Sequence, residues 1–143
     1  VNSISQTTGS FDSYGLNYSN GSLKIALASD SNAKGYDNKR FASTFSLDTL
    51  DIDVGVLYQT TKKLSTGISE NGHVISVKKN VFEKGSIYYQ TSSSDIKLES
   101  GEQNSLGYTH KISKVSKVFV HASNLESDTK NVDYISVGFE YKF

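Results

Sequence analysis

Three histidines, two closely spaced aspartates and a lysine pair are the residues of this chain whose types suit chemistry. His73, His110 and His121 are far apart in the chain and fall on different faces of their segments, so no imidazole has an obvious partner for acid–base work. Asp51 and Asp53 stand two apart on one strand face, superficially a carboxylate pair for general acid and base roles. Beside a short turn they read instead as lumen or rim charges. Lys78 and Lys79 cannot point the same way on a strand, which puts one of them at a rim. Gly101-Glu102-Gln103 and Lys84-Gly85 are turn chemistry, because no glycine-rich loop precedes a helix. The acidic residues Asp95, Glu99, Glu102, Glu126 and Asp128 have the ligand chemistry for a divalent cation, but without calcium-loop spacing they read as solvated loops. No catalytic residue, metal or cofactor is expected, and the chain does not read as an enzyme.

Composition narrows the class further. The 143 residues contain no Cys, Pro, Met or Trp, and fifteen basic residues balance fifteen acidic ones. Without Cys there is no disulfide framework, thiolate zinc site or cysteine nucleophile. Zero net charge argues against nucleic acid as a partner. The length suits a single domain, residues 1–143. A mean hydropathy of −0.41 and the lack of a long apolar run exclude a transmembrane helix. They do not exclude a membrane barrel, whose apolar surface sits in alternate residues. Absent proline is compatible with a closed sheet, since proline is confined to edges and bulges. No secretory signal stands at Val1, so the chain is expected to be mature or a fragment.

The elements that must position these side chains are strands. Alternation with a period of two recurs in nine segments, and helical spacing fits poorly. It is clearest from Ile135, where Ile135, Val137, Phe139, Tyr141 and Phe143 alternate with Ser136, Gly138, Glu140 and Lys142. Val118 and Val120 alternate with Lys117, Phe119 and His121; Ile52, Val54, Val56 and Tyr58 alternate with Asp51, Asp53, Gly55 and Gln59. Short connections at 20–21, 47–50, 81–84 and 113–116 alternate with longer polar ones at 30–39, 60–72, 92–103 and 124–131. A membrane barrel sorts its turns and loops to opposite rims in this way.

Periodicity cannot say which face is dry, but three other features favour an apolar face turned outward. The polar faces carry small residues, among them Gly15, Ala26, Ala28, Ala42, Gly55, Gly107 and Gly138, which suit a lumen wall. Tyr14, Tyr18, Tyr58, Tyr89, Tyr108 and Tyr141 all fall on the apolar face, mostly near strand ends, as an interfacial aromatic girdle does. The pattern also runs to the last residue, Phe143, where a soluble domain usually frays. The charges left on the polar faces are then lumen-lining: Lys24, Asp30, Arg40, Asp48, Asp51, Asp53, Lys78, Lys111, Lys117, Glu140 and Lys142. In a wide barrel they bias ion passage; in a barrel of eight strands they fill the interior as salt bridges.

The closing stretch Ser136-Val137-Gly138-Phe139-Glu140-Tyr141-Lys142-Phe143 resembles the last strand of Gram-negative outer-membrane general-diffusion porins. Residues 104–113, 117–122 and 12–26 are similar to porin strands as well, so the likeness spans roughly residues 12–143. The resemblance implies a trimeric, sixteen-stranded channel that passes small hydrophilic solutes or ions without chemistry. It implies the bacterial outer membrane as location, with lipid and lipopolysaccharide around the barrel. It further implies that Phe139, Tyr141 and Phe143 form the signal read by the barrel-assembly machinery. The chain is about half a porin long, and no residue matches the constriction loop, so selectivity does not carry over.

The fold expected is therefore all-β: an antiparallel transmembrane β-barrel with about 8–10 strands in this chain, or the C-terminal nine strands of a sixteen-stranded porin. Residues 1–8 are a weakly alternating tenth strand, although Gly9-Ser10-Phe11 also resembles a turn at the opposite rim. A small complete barrel, a shortened porin and a fragment completed by another chain all fit; the first two leave no sheet edge in lipid. Against the channel stand a small non-conducting barrel that acts through its extracellular loops, and a soluble lectin- or lipocalin-type domain.

Overall fold

A computed structural model of the chain describes residues 2–7, 12–95 and 101–142. Apolar residues alternating with small and polar ones give strands here, as the period requires. They are β1 (Asn2–Thr7), β2 (Asp12–Asn20), β3 (Leu23–Ala33), β4 (Tyr36–Leu47), β5 (Ile52–Lys63), β6 (Ser69–Val81), β7 (Gly85–Ser94), β8 (Gly101–Lys111), β9 (Ser116–Glu126) and β10 (Asn131–Tyr141). One 3-10 turn, Asp48–Leu50, joins β4 to β5. The ten strands form a single antiparallel sheet in chain order.

The tenth strand is thus β1, which the nine clear alternations left open. Thr7 pairs with Asp12, so the end of β1 and the start of β2 lie at the same rim as Lys34-Gly35. Gly9-Ser10-Phe11, which resembles a turn at the other rim, lies outside the described residues.

The expected loops are largely strand. Residues 36–39 pair with 60–63, and 69–72 continue the ladder, so the connections at that rim shrink to 34–35, 64–68, 95–100 and 127–130. The opposite rim has 21–22, 48–51, 82–84 and 112–115, so the sorting by length is much weaker than expected, although the two longest connections still share one rim. The reason is physical: ladder hydrogen bonds join backbones and are indifferent to side-chain polarity. A polar stretch marks where the surroundings change, not where pairing stops. Lys34 and Gly35 both have positive φ, 52° and 84°, the geometry of a two-residue hairpin turn that follows the twist of its strands.

No hydrophobic side chain is buried among the described residues. The large apolar side chains of the strands are exposed instead, up to 75% for Ile135 and 79% for Val137. What packs on the other face is ring over glycine. A Cβ on Gly107 would stand 2.2 Å from Cζ of Tyr88, and one on Gly138 would stand 2.2 Å from Cζ of Phe119. Each ring therefore lies across the bare backbone of its cross-strand partner, with which it is in register. Among the described residues no strand pairs with the outer edge of β1 or of β10, so the sheet is open. Closure of these strands on themselves, one of the expected outcomes, is not found.

Candidate functional site

Cross-strand register assigns every strand residue to a face. Lys24, Asp30, Arg40, Asp53, Lys78, Lys111, Lys117 and Glu140 share the polar face with Ala26, Ala28, Ala42, Gly55, Gly107 and Gly138. Polar bonds between neighbouring strands tie this face together. Ser13 Oγ donates to Asp30 Oδ1 at 2.7 Å, and Arg40 Nε donates to Gln59 Oε1 at 2.9 Å. Asp53 takes a hydrogen bond from Ser46 Oγ at 2.7 Å and an ion pair with Lys78 at 3.5 Å. Lys117 and Glu140 pair at 2.8 Å. These ion pairs are half exposed, where solvent screening leaves such pairs little weight in stability. They set local charge rather than hold the fold.

Three expected wall charges, Asp48, Asp51 and Lys142, lie elsewhere. Asp48 is in the 3-10 turn and Asp51 follows it with φ 52°, so both sit at a rim. The left-handed Asp51 redirects the chain before β5 begins, and the apparent Asp51–Asp53 carboxylate pair does not exist on a strand face. Lys142 follows β10 at the same rim, and Phe143 and Glu99 lie outside the described residues. Lys79 faces opposite to Lys78, in register with Ile52. His73 and His110 lie on the apolar face and His121 on the polar one, where its ring meets Tyr134 edge-on at 5.9 Å. Among the described residues no group of three metal-ligating side chains forms.

Tyr14, Tyr18, Tyr58, Tyr89, Tyr108 and Tyr141 share the apolar face with Leu16, Leu27, Phe41, Val120, Ile135 and Val137. Their hydroxyl partners are directional. Tyr58 Oη donates to Asn71 Oδ1 at 3.0 Å and Tyr89 Oη to Asn104 Oδ1 at 2.9 Å, both toward the rim of Lys34-Gly35. Tyr108 Oη meets His110 Nδ1 at 3.1 Å, toward the opposite rim.

The polar face also holds apolar side chains that sequence inspection missed. Leu57, Val74 and Leu125 line a cleft of about 240 Å³ there, together with Gln59, Thr61 and Gln103. The signal was present in strand parity: Leu57 is an odd residue of β5, like Asp53 and Gly55. It was hidden by the unbroken apolar run Val56-Leu57-Tyr58.

The fold is an antiparallel meander with one charged, small-residue face and one exposed apolar face, and solved porins share it. The chain is similar to the anion-selective porin of Comamonas acidovorans, with a TM-score of 0.73 and 18% identity over 93% of this chain and 49% of that one. It is similar to a mutant of the Rh. blastica porin, with a TM-score of 0.75 and 12% identity over 93% of this chain and 46% of that one. No family model and no curated protein sequence matches. The chain spans about half the length of the solved porins it matches.

Proposed function

We propose that the chain forms wall strands of an outer-membrane channel for passive diffusion of small hydrophilic solutes or ions. The observation that carries this is the inversion of the faces. Large apolar side chains are exposed, none is buried among the described residues, and the charges share the other face. In water such a surface would be an aggregation liability; against lipid it is the required solvent. The six tyrosines fit two interfacial girdles, because the hydroxyl bonds run along the strands toward the rims, those of Tyr58 and Tyr89 toward one and that of Tyr108 toward the other.

Lumen charges Lys24, Asp30, Arg40, Asp53, Lys78, Lys111, Lys117 and Glu140 would then bias ion passage through their fields. We further propose lipid and lipopolysaccharide as surroundings, recognition of Phe139, Tyr141 and Phe143 by the barrel-assembly machinery, and a homotrimer. No reaction is assigned to any residue. Planar-bilayer recording of the intact native protein tests the channel: discrete conductance steps are expected. Protein that inserts and never gives steps refutes conduction and leaves a non-conducting barrel with a surface role for its loops.

A further inference from the structure

On the polar face Lys78 is answered by Asp53 at 3.5 Å and Arg40 by the Gln59 amide at 2.9 Å, and no carboxylate of the described residues lies within ion-pair distance of Lys24. One corner of this face gathers several cations together. Around the connection between β8 and β9, the side chains of Lys84, Lys111, Lys114, Lys117 and Lys142 line a cleft of about 640 Å³ that holds a single carboxylate, Glu140. Glu140 is taken by Lys117 at 2.8 Å. Among the described residues no carboxylate pairs with the other four lysines within ion-pair distance.

The arrangement is fixed by the backbone. Lys111 N–H donates to Lys84 O at 2.8 Å, and Lys142 N–H donates to Val115 O at 2.8 Å, which locks two connections and the end of β10 around the cleft. Register also sets Lys111 directly opposite Lys117 on one face, an arrangement that costs stability through like-charge repulsion. Repulsion concentrated in a concave, solvent-filled corner is relieved by an anion bearing several charges.

We propose that this corner is a binding site for compact multivalent oxyanions, phosphate- or carboxylate-bearing, held by Lys84, Lys111, Lys114 and Lys142. The site requires the fold but not conduction, so it stands apart from the channel proposal. Calorimetric titration of the intact protein, folded in zwitterionic detergent at low ionic strength, with sodium pyrophosphate tests it. Saturable binding is expected, weakened about fivefold by Lys111→Gln and again by Lys142→Gln, as for exposed charge pairs, and lost in about 1 M salt. Glu140→Gln, which frees Lys117, is expected to tighten binding, and Lys24→Gln on β3 to leave it unchanged. A citrate titration separates the sources: binding equal to pyrophosphate assigns the site to multivalent anions in general, and its absence assigns it to phosphate groups. Circular dichroism verifies the fold of each variant. Absence of saturable pyrophosphate binding, or equal weakening by Lys111→Gln and Lys24→Gln, overturns the proposal.

Discussion

Replacing Val120 by arginine, beside the same replacement at His121, asks which face of the sheet meets lipid. The two residues are chain neighbours on β9 and point to opposite faces. Ten steps separate Ser116 from Glu126. At about 3.4 Å per residue that is roughly 34 Å of strand, or about 24 Å of height at a tilt of about 45°. This matches the apolar band of a membrane barrel, roughly 25 Å tall. Val120 lies four steps from Ser116, a height of about 10 Å and close to the midplane of such a band. An arginine there on the lipid face costs about 2–4 kcal/mol. In the folding equilibrium that is a factor of about 30 to 1,000. His121→Arg stays on the polar face and is expected to cost under about 0.5 kcal/mol, as exposed substitutions do. Val118→Arg, nearer the rim, falls between the two. Denaturant titration in lipid vesicles, read by gel mobility of the folded form, measures all three. Equal costs for Val120→Arg and His121→Arg would refute the assignment of faces, because an already exposed valine in water tolerates arginine.

Two further expectations concern how the polar face is held. Gly138→Ala sets a Cβ against the ring of Phe119 and pushes that ring off its rotamer, at a cost of about 1 kcal/mol. In a Phe119→Ala background the same change should cost almost nothing, and equal costs in both backgrounds would show that the ring does not rest on Gly138. Among the described residues Ser105 and Ser123 are the most buried polar side chains, 8% and 5% exposed, and their hydroxyls meet at 2.7 Å. Ser105→Ala should lower the denaturant midpoint by an amount equivalent to about 1–2 kcal/mol, and Ser105→Ala with Ser123→Ala should recover part of it. A double variant weaker than the sum of both singles contradicts this.

The alternation of apolar with small residues made the strands and their faces legible, because side-chain direction follows directly from strand parity. Register in the structure confirms that parity from Tyr14 to Tyr141. Strand ends were not legible: residues 36–39 and 60–63 look like loop by composition yet pair with each other, since their ladder bonds come from the backbone. Asp48 and Asp51 were expected both beside a short turn and among the lumen charges, and only the turn placement is found, because nothing in the side chains announces a left-handed Asp51. The lysine corner was equally hidden. Lys84, Lys114 and Lys142 are far apart in the chain, and the strand ladders, extended by hydrogen bonds from Lys111 to Lys84 and from Lys142 to Val115, gather them. Openness of the sheet depends on curvature, which no local pattern encodes.

The chain-order pairing of β1 to β10 has a consequence for how such a wall is made and remade. Each strand finds both partners next to it in the sequence, so pairing proceeds by short-range loop closures and needs no search across the chain. With no shared interior among the described residues, a hairpin contributes its own stretch of apolar face and its own stretch of polar face. Insertion or loss of a hairpin changes the width of the sheet by two strands and leaves the packing of distant strands as it was. Under the proposed function, bore width would then be a countable quantity, set by duplication and deletion of hairpins rather than by repacking.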